Sequence, residues 1–209
     1  MLNHSWLPTS QLEQLVGSFL QTYPCEAVAE VVYCPTKEKM KELADQYLPI
    51  YHWDEEKVSA YWGRIDPRSA AFTFCHPYQL GLRIPTVIGV RTAAISYTPE
   101  ELVSIIRDHE YVHAQDWFGT IPINARRRIT IENDHRLDPK TITAIIEVRA
   151  YNHQLDCMPD DWEDKRIHKA AIAGYTEYYS QLNQIKNTTD NNYEKRLIAD
   201  FLRTVKSQP

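Results

Sequence analysis

One helix constrains this chain more than any other feature. Thr98-Pro99-Glu100-Glu101 starts it: Thr98 suits the N-cap, Pro99 the first helical position, and Glu101 completes a capping box. The helix should run to about Trp117, and His109-Glu110-Tyr111-Val112-His113 falls in its middle. Helical periodicity sets His109 and His113 one turn apart on one face, where both imidazoles reach one ion, with Glu110 offset beside them. A fold built on such a helix must bring a further ligand up to that face.

The segments before Thr98 alternate in character. Ser10-Gln-Leu-Glu13 has the form of a capping box, with Leu12, Leu15, Val16, Phe19 and Leu20 following at helical spacing. Ala27–Tyr33 reads as a strand ended by Cys34-Pro35, and Thr36–Leu48 as a helix stopped by Pro49. Val58–Ile65, Ala71–Cys75 and Thr86–Val90 are predicted strands, and Ala93–Tyr97 a short last one. After the His-Glu helix the pattern is helical only: Asp138-Pro139 opens a helix reaching about Leu155, Asp160 with Glu163 a third, and Asn191 with Glu194 a fourth. The expectation is an α+β domain spanning residues 1–209, helix and strands in 1–98 and helices in 99–209.

Catalytic zinc takes three protein ligands and leaves a position open for water. A metzincin would place its third ligand six residues after the second His; that position is Gly119, which excludes the class. An acid from a following helix remains. Glu147 stands among Ile142, Ile145, Ile146 and two alanines, Ala144 and Ala150, where a lone acid costs several kcal/mol unless paired or metal-bound. A structural ion pair with an arginine is the other reading of Glu147. Glu132, Asp134 and His135 are rival ligands in the polar stretch Arg126–Leu137, otherwise a solvated loop, and Arg126-Arg127-Arg128 reads as a solvated face.

Composition removes other classes. A net charge of −5, from 23 basic and 28 acidic residues, disfavours a general nucleic-acid binder. The 4 cysteines, Cys25, Cys34, Cys75 and Cys157, form no Cys-x-x-Cys pair and read as buried thiols. The 6 glycines are scattered singly, so no phosphate-binding loop is present. No apolar stretch approaches a membrane span, and the absence of Lys and Arg before Lys37 fits neither a secretory signal nor a presequence, so a cytoplasmic protein is expected, or a mature fragment whose targeting segment has been removed.

His109-Glu110-x-x-His113-Ala114-x-Asp116, followed by Glu147-Val148-Arg149-Ala150-x-Asn152 and Asp156-Cys157, resembles the gluzincin-type metallopeptidases related to the mitochondrial ATP-synthase assembly protease. The likeness covers residues 109–157. It implies a zincin-like fold, a small mixed sheet followed by the His-Glu helix and a helical C-terminal part. It further implies a zinc-dependent endopeptidase acting on a peptide or protein substrate, with His109, His113 and Glu147 as ligands and Glu110 as catalytic acid/base.

Peptide hydrolysis also needs a partner for the oxyanion. Tyr151, one turn beyond Glu147, is the first candidate, with Tyr175, Tyr178 and Tyr179 on the next helix as others. Asp116, one turn past His113, is placed either to accept a hydrogen bond from a ligating imidazole or to form an ordinary ion pair. Substrate would add as a strand to a sheet edge at Thr86–Val90 or Ala93–Tyr97. The alternative function is a zinc-binding regulatory or peptide-binding protein that cleaves little.

Overall fold

The computed structural model describes residues 7–47, 53–74, 83–129 and 136–205. In chain order the elements are α1 (Thr9–Gly17), a short turn α2 (Phe19–Thr22), β1 (Val28–Tyr33), α3 (Lys37–Tyr47), α4 (Glu55–Trp62), β2 (Ala71–Phe74) and β3 (Thr86–Val90). A 3-10 turn (Thr92–Ser96) leads into one long helix made of α5 (Pro99–Val103), a π-helical stretch (Ser104–Glu110) and α6 (Tyr111–Phe118). A hairpin of β4 (Ile121–Asn124) and β5 (Arg127–Ile129), then α7 (Pro139–Cys157), α8 (Arg166–Thr188) and α9 (Asn192–Leu202), complete it. Among the described residues no helix is long and apolar enough to cross a membrane.

The three-stranded sheet is mixed, ordered β1-β3-β2, with β1 parallel and β2 antiparallel to β3. Every residue of β3 is buried, as a central strand covered on both faces requires. Ile88 and Val90 of β3, with Ala71 of β2, pack beneath α1, α5 and the π-helical stretch, against Leu12, Val16, Leu102 and Ile106. Val87 of β3, with Phe72 and Phe74 of β2, faces Met40 and Leu43 of α3 and Val58 of α4. Gly89 is needed here, because a Cβ on it would sit 2.4 Å from Cζ of Phe72. The sequence Ala71-Phe72-Thr73-Phe74 thus turns its small and polar members toward the His-Glu helix.

Four expectations require correction. Val58–Ile65 is not a strand; its N-terminal part lies in α4. Asp54 accepts from Lys57 N–H at 2.8 Å, Glu55 and Glu56 occupy the first turn, and Val58, Tyr61 and Trp62 share one helical face on the core. Capping outweighed the β-favouring composition. Ala93–Tyr97 lies largely in a 3-10 turn rather than a strand, Ile95 O accepting from Leu7 N–H at 2.9 Å. The first helix begins at Thr9 after Pro8, without a side-chain cap from Ser10. Asp160–Trp162 forms only a 3-10 turn, and the third long helix starts at Arg166.

The stretch after Phe118 is also not purely helical. Ile121, Ile123 and Ile129 of the β4–β5 hairpin bury against Ile145 and Val148 of α7 and Phe201 of α9. Asn124 makes the turn, its Oδ1 accepting from Arg126 and Arg127 N–H groups, each at 2.9 Å. Arg127 is half-buried, 3.7 Å from Asp200 and over the Tyr193 ring, whereas Arg126 and Arg128 are exposed. The starts of α7 and α9 are tied together by buried Glu194, which accepts from Asp138 N–H (3.0 Å) and from the hydroxyls of Thr141 (2.7 Å) and Thr189 (2.8 Å).

Candidate metal centre

The capping box at Thr98 forms in both directions, with Pro99 in the first turn. Directly after α5 the helix widens from Ser104, and Tyr111 N–H reaches back five residues to Ile106 O. Such π-helical stretches accompany functional sites because they re-aim side chains without ending the helix. Here the wide stretch ends on His109-Glu110, and α6 then carries His113.

His109 and His113 turn their Nε2 atoms toward each other at 3.1 Å. From α7, Oε2 of Glu147 lies 3.8 Å from the first and 3.7 Å from the second. Two ligands each about 2.1 Å from a tetrahedral ion sit about 3.4 Å apart. The three donors therefore stand at ligand spacing around one point, and two imidazoles with one carboxylate suit a divalent cation.

Electrostatics agree with that geometry. Burial pushes His109 down to about 4, against a weaker upward pull from Gln154, and pushes His113 well below the usual histidine range, helped by His109 and Arg149. Both rings are neutral at pH 7, the form that binds metal. Burial raises Glu147 to about 8, with the charge of Glu110 adding to it. Without a cation this carboxyl keeps a proton, and a cation would displace it.

Glu110 stands beside the triangle, 6% exposed and pushed up to about 7 by burial. Thr73 of β2 donates its hydroxyl to Glu110 Oε2 at 2.7 Å, which works against that shift by favouring the charged form. Thr73 escaped the sequence reading. Its signal was a polar residue at an inward position of an otherwise apolar strand.

Tyr151 lays its ring against His109, centroids 4.4 Å apart, and stacks on Tyr178 at 6.3 Å. Gly174 of α8 makes this possible, since a Cβ there would fall 2.3 Å from Tyr151 Cζ. Tyr175 and Tyr179 stack on each other in the helical core instead.

Asp116 is buried and forms an ion pair with Arg149 of α7, two residues beyond Glu147. The alternative contact, to a ligating imidazole, is not formed: among the described residues Nδ1 of His113 and Oδ2 of Asp116 both lack a hydrogen-bond partner. The pair acts at one remove. It joins α6 to α7 beside Glu147, and the sequence signal for it was the Asp116 and Arg149 offsets from the two motifs. Gln154, seven residues after Glu147 on the same helical face, is a second buried polar neighbour that sequence reading passed over.

Glu132, Asp134 and His135, the rival ligands, and Cys75 lie outside the described residues. Of the other thiols, Cys34 is buried as expected, Cys25 half-buried, and Cys157 exposed. No protein-family model matches this chain, and no curated protein or solved structure matches it either.

Proposed function

We propose that this chain is a cytoplasmic zinc-dependent endopeptidase that hydrolyses peptide bonds in a peptide or protein substrate. The observation that carries the reading is the triangle of His109, His113 and Glu147, with donor separations of 3.1, 3.8 and 3.7 Å and Glu110 alongside. Zinc held by His109, His113 and Glu147 would supply a water of lowered pKa and polarisation of the scissile carbonyl. Glu110, with a proton affinity near neutrality, takes a proton from the attacking water and delivers it to the leaving amine. Thr73 holds the Glu110 carboxylate in place for both transfers. Tyr151 packs its ring on His109, and its hydroxyl is the proposed partner of the oxyanion.

The substrate edge needs revision. β3 is the central strand and cannot accept another. Among the described residues β2 is an edge strand beside Glu110. Arg91 N–H donates to Ala70 O at 2.8 Å, so Ala71 and Thr73 turn their backbone groups away from β3. We assign the added substrate strand to that side, where Tyr61 already donates to Thr73 O at 2.7 Å.

One feature favours the regulatory alternative: the His109 and His113 side chains are each only 10% exposed, and a shut site binds metal without turning over substrate. Glu110→Gln separates the two. The peptidase reading expects chelator-sensitive cleavage of unfolded casein by the native chain, and an unchanged zinc content with cleavage lowered at least about 100-fold in the variant. Equal turnover by Glu110→Gln, or none by the zinc-loaded native chain, overturns it.

A further inference from the structure

A second group of metal-ligating side chains lies outside the triangle. A carboxylate oxygen of Asp108, a ring nitrogen of His153 and Sγ of Cys157 all fall within 4.8 Å of one another. His153 and Cys157 stand one turn apart on α7, with Nε2 and Sγ separated by 3.7 Å. A tetrahedral ion bound about 2.3 Å from sulfur and about 2.1 Å from nitrogen spans about 3.6 Å between them, so this edge needs no adjustment. Asp108 comes from the π-helical stretch, next in sequence to His109 but on an adjacent side of the helix, toward another stripe of α7.

The surroundings suit a cation. Asp108 is buried, and Arg107 grips it through Nε (2.6 Å) and Nη2 (2.9 Å), which leaves each carboxylate oxygen a further lone pair. A bound cation would displace the proton of the Cys157 thiol, leaving the thiolate and the Asp108 carboxylate against one guanidinium. His153 and Cys157 are exposed, and Asp108 and Cys157 line a groove of about 570 Å³ shared with Tyr23 and Trp162, so an ion has a way in and an open position. A thiolate beside an imidazole selects borderline ions such as zinc or cobalt over calcium or magnesium.

We propose that Asp108, His153 and Cys157 form a second divalent-metal site, separate from the His109–His113–Glu147 triangle. Both sites join α7 to the long helix that contains the π-helical stretch, on different stripes. A metal at the second site staples the helix bearing Glu147 to the helix bearing His109.

The test is titration of the metal-free full chain with cobalt(II), read as a sulfur-to-cobalt charge-transfer band in the near ultraviolet. The triangle contains no sulfur, so the band reports only thiolate ligation. The expected result is a band that saturates by at most two equivalents, the triangle taking up the other, is lost together with one bound cobalt in Cys157→Ser, and weakens at least tenfold in affinity in His153→Ala. Glu147→Gln, which damages the triangle, and Cys25→Ser should both keep the band. A native chain without the band at saturating cobalt, or an unchanged band in Cys157→Ser, overturns the proposal, and neither result bears on the peptidase reading.

Discussion

Removing Arg149 should unfold this protein far more readily than removing an ordinary surface charge. Asp116 has a side chain only 2% exposed, and Arg149, 22% exposed, is the cation paired with it. Among the described residues Oδ2 of Asp116 already lacks a hydrogen-bond partner, so Arg149→Met leaves a buried carboxylate with neither oxygen satisfied by them. Breaking one side of a buried pair costs about 3–5 kcal/mol. With an unfolding entropy of about 2.1 cal/mol/K per residue, a chain of 209 residues loses roughly 7–11 °C in Tm. The assay is thermal unfolding followed by circular dichroism in excess chelator, which separates packing from metal binding. The double variant Asp116→Leu with Arg149→Met replaces the pair by apolar groups and should recover to within about 2 kcal/mol of the native chain. A single-variant loss below about 1 kcal/mol, or a double variant as unstable as Arg149→Met, would refute the view that this pair is desolvated and holds α7 to α6.

Three further outcomes follow from the same geometry. Thr73→Val keeps the shape of the strand but removes the 2.7 Å hydrogen bond to Glu110, so kcat should fall about 10–100-fold with zinc content unchanged; an unaltered kcat ends that role. Gly174→Ala would ordinarily favour a helix, yet its Cβ meets the Tyr151 ring at 2.3 Å, so Tm should fall rather than rise, with relief in a Tyr151→Leu background. Glu147, raised to about 8 by burial and by Glu110, is protonated at neutral pH in the metal-free chain, whereas both imidazoles are already neutral. Zinc must therefore expel that proton, and apparent affinity should rise about tenfold per pH unit up to about pH 8 and then level off; calorimetry in buffers of different ionisation enthalpy would detect the released proton, and a flat profile from pH 6 to 8 would contradict the assignment.

The helix carrying the His-Glu motif was legible in the sequence because its signals are local. Thr98, Pro99 and Glu101 state where it starts, and the four-residue spacing of His109 and His113 states which face matters. The approach of Glu147 to the two histidines could be anticipated as well, since an acid among isoleucines and alanines needs a partner. Local composition misled where capping and packing compete with it, as at Val58–Trp62, where Asp54, Glu55 and Glu56 turn a β-branched, aromatic stretch into α4. Contacts that depend on topology were hidden. Thr73 reaches Glu110 only because β2 lies at the sheet edge next to the π-helical stretch, and no spacing rule joins residues 37 positions apart. Arg149 meets Asp116 across two helices for the same reason. The widening of Ser104–Glu110 has no sequence signature of its own.

The most direct measurement is an anomalous-difference map at the zinc edge from crystals of the zinc-loaded chain. The account predicts a peak about 2.1 Å from Nε2 of both His109 and His113 and from a carboxylate oxygen of Glu147, with Glu110 alongside but not bound. No peak at that point, or one whose third ligand is another residue, would contradict it.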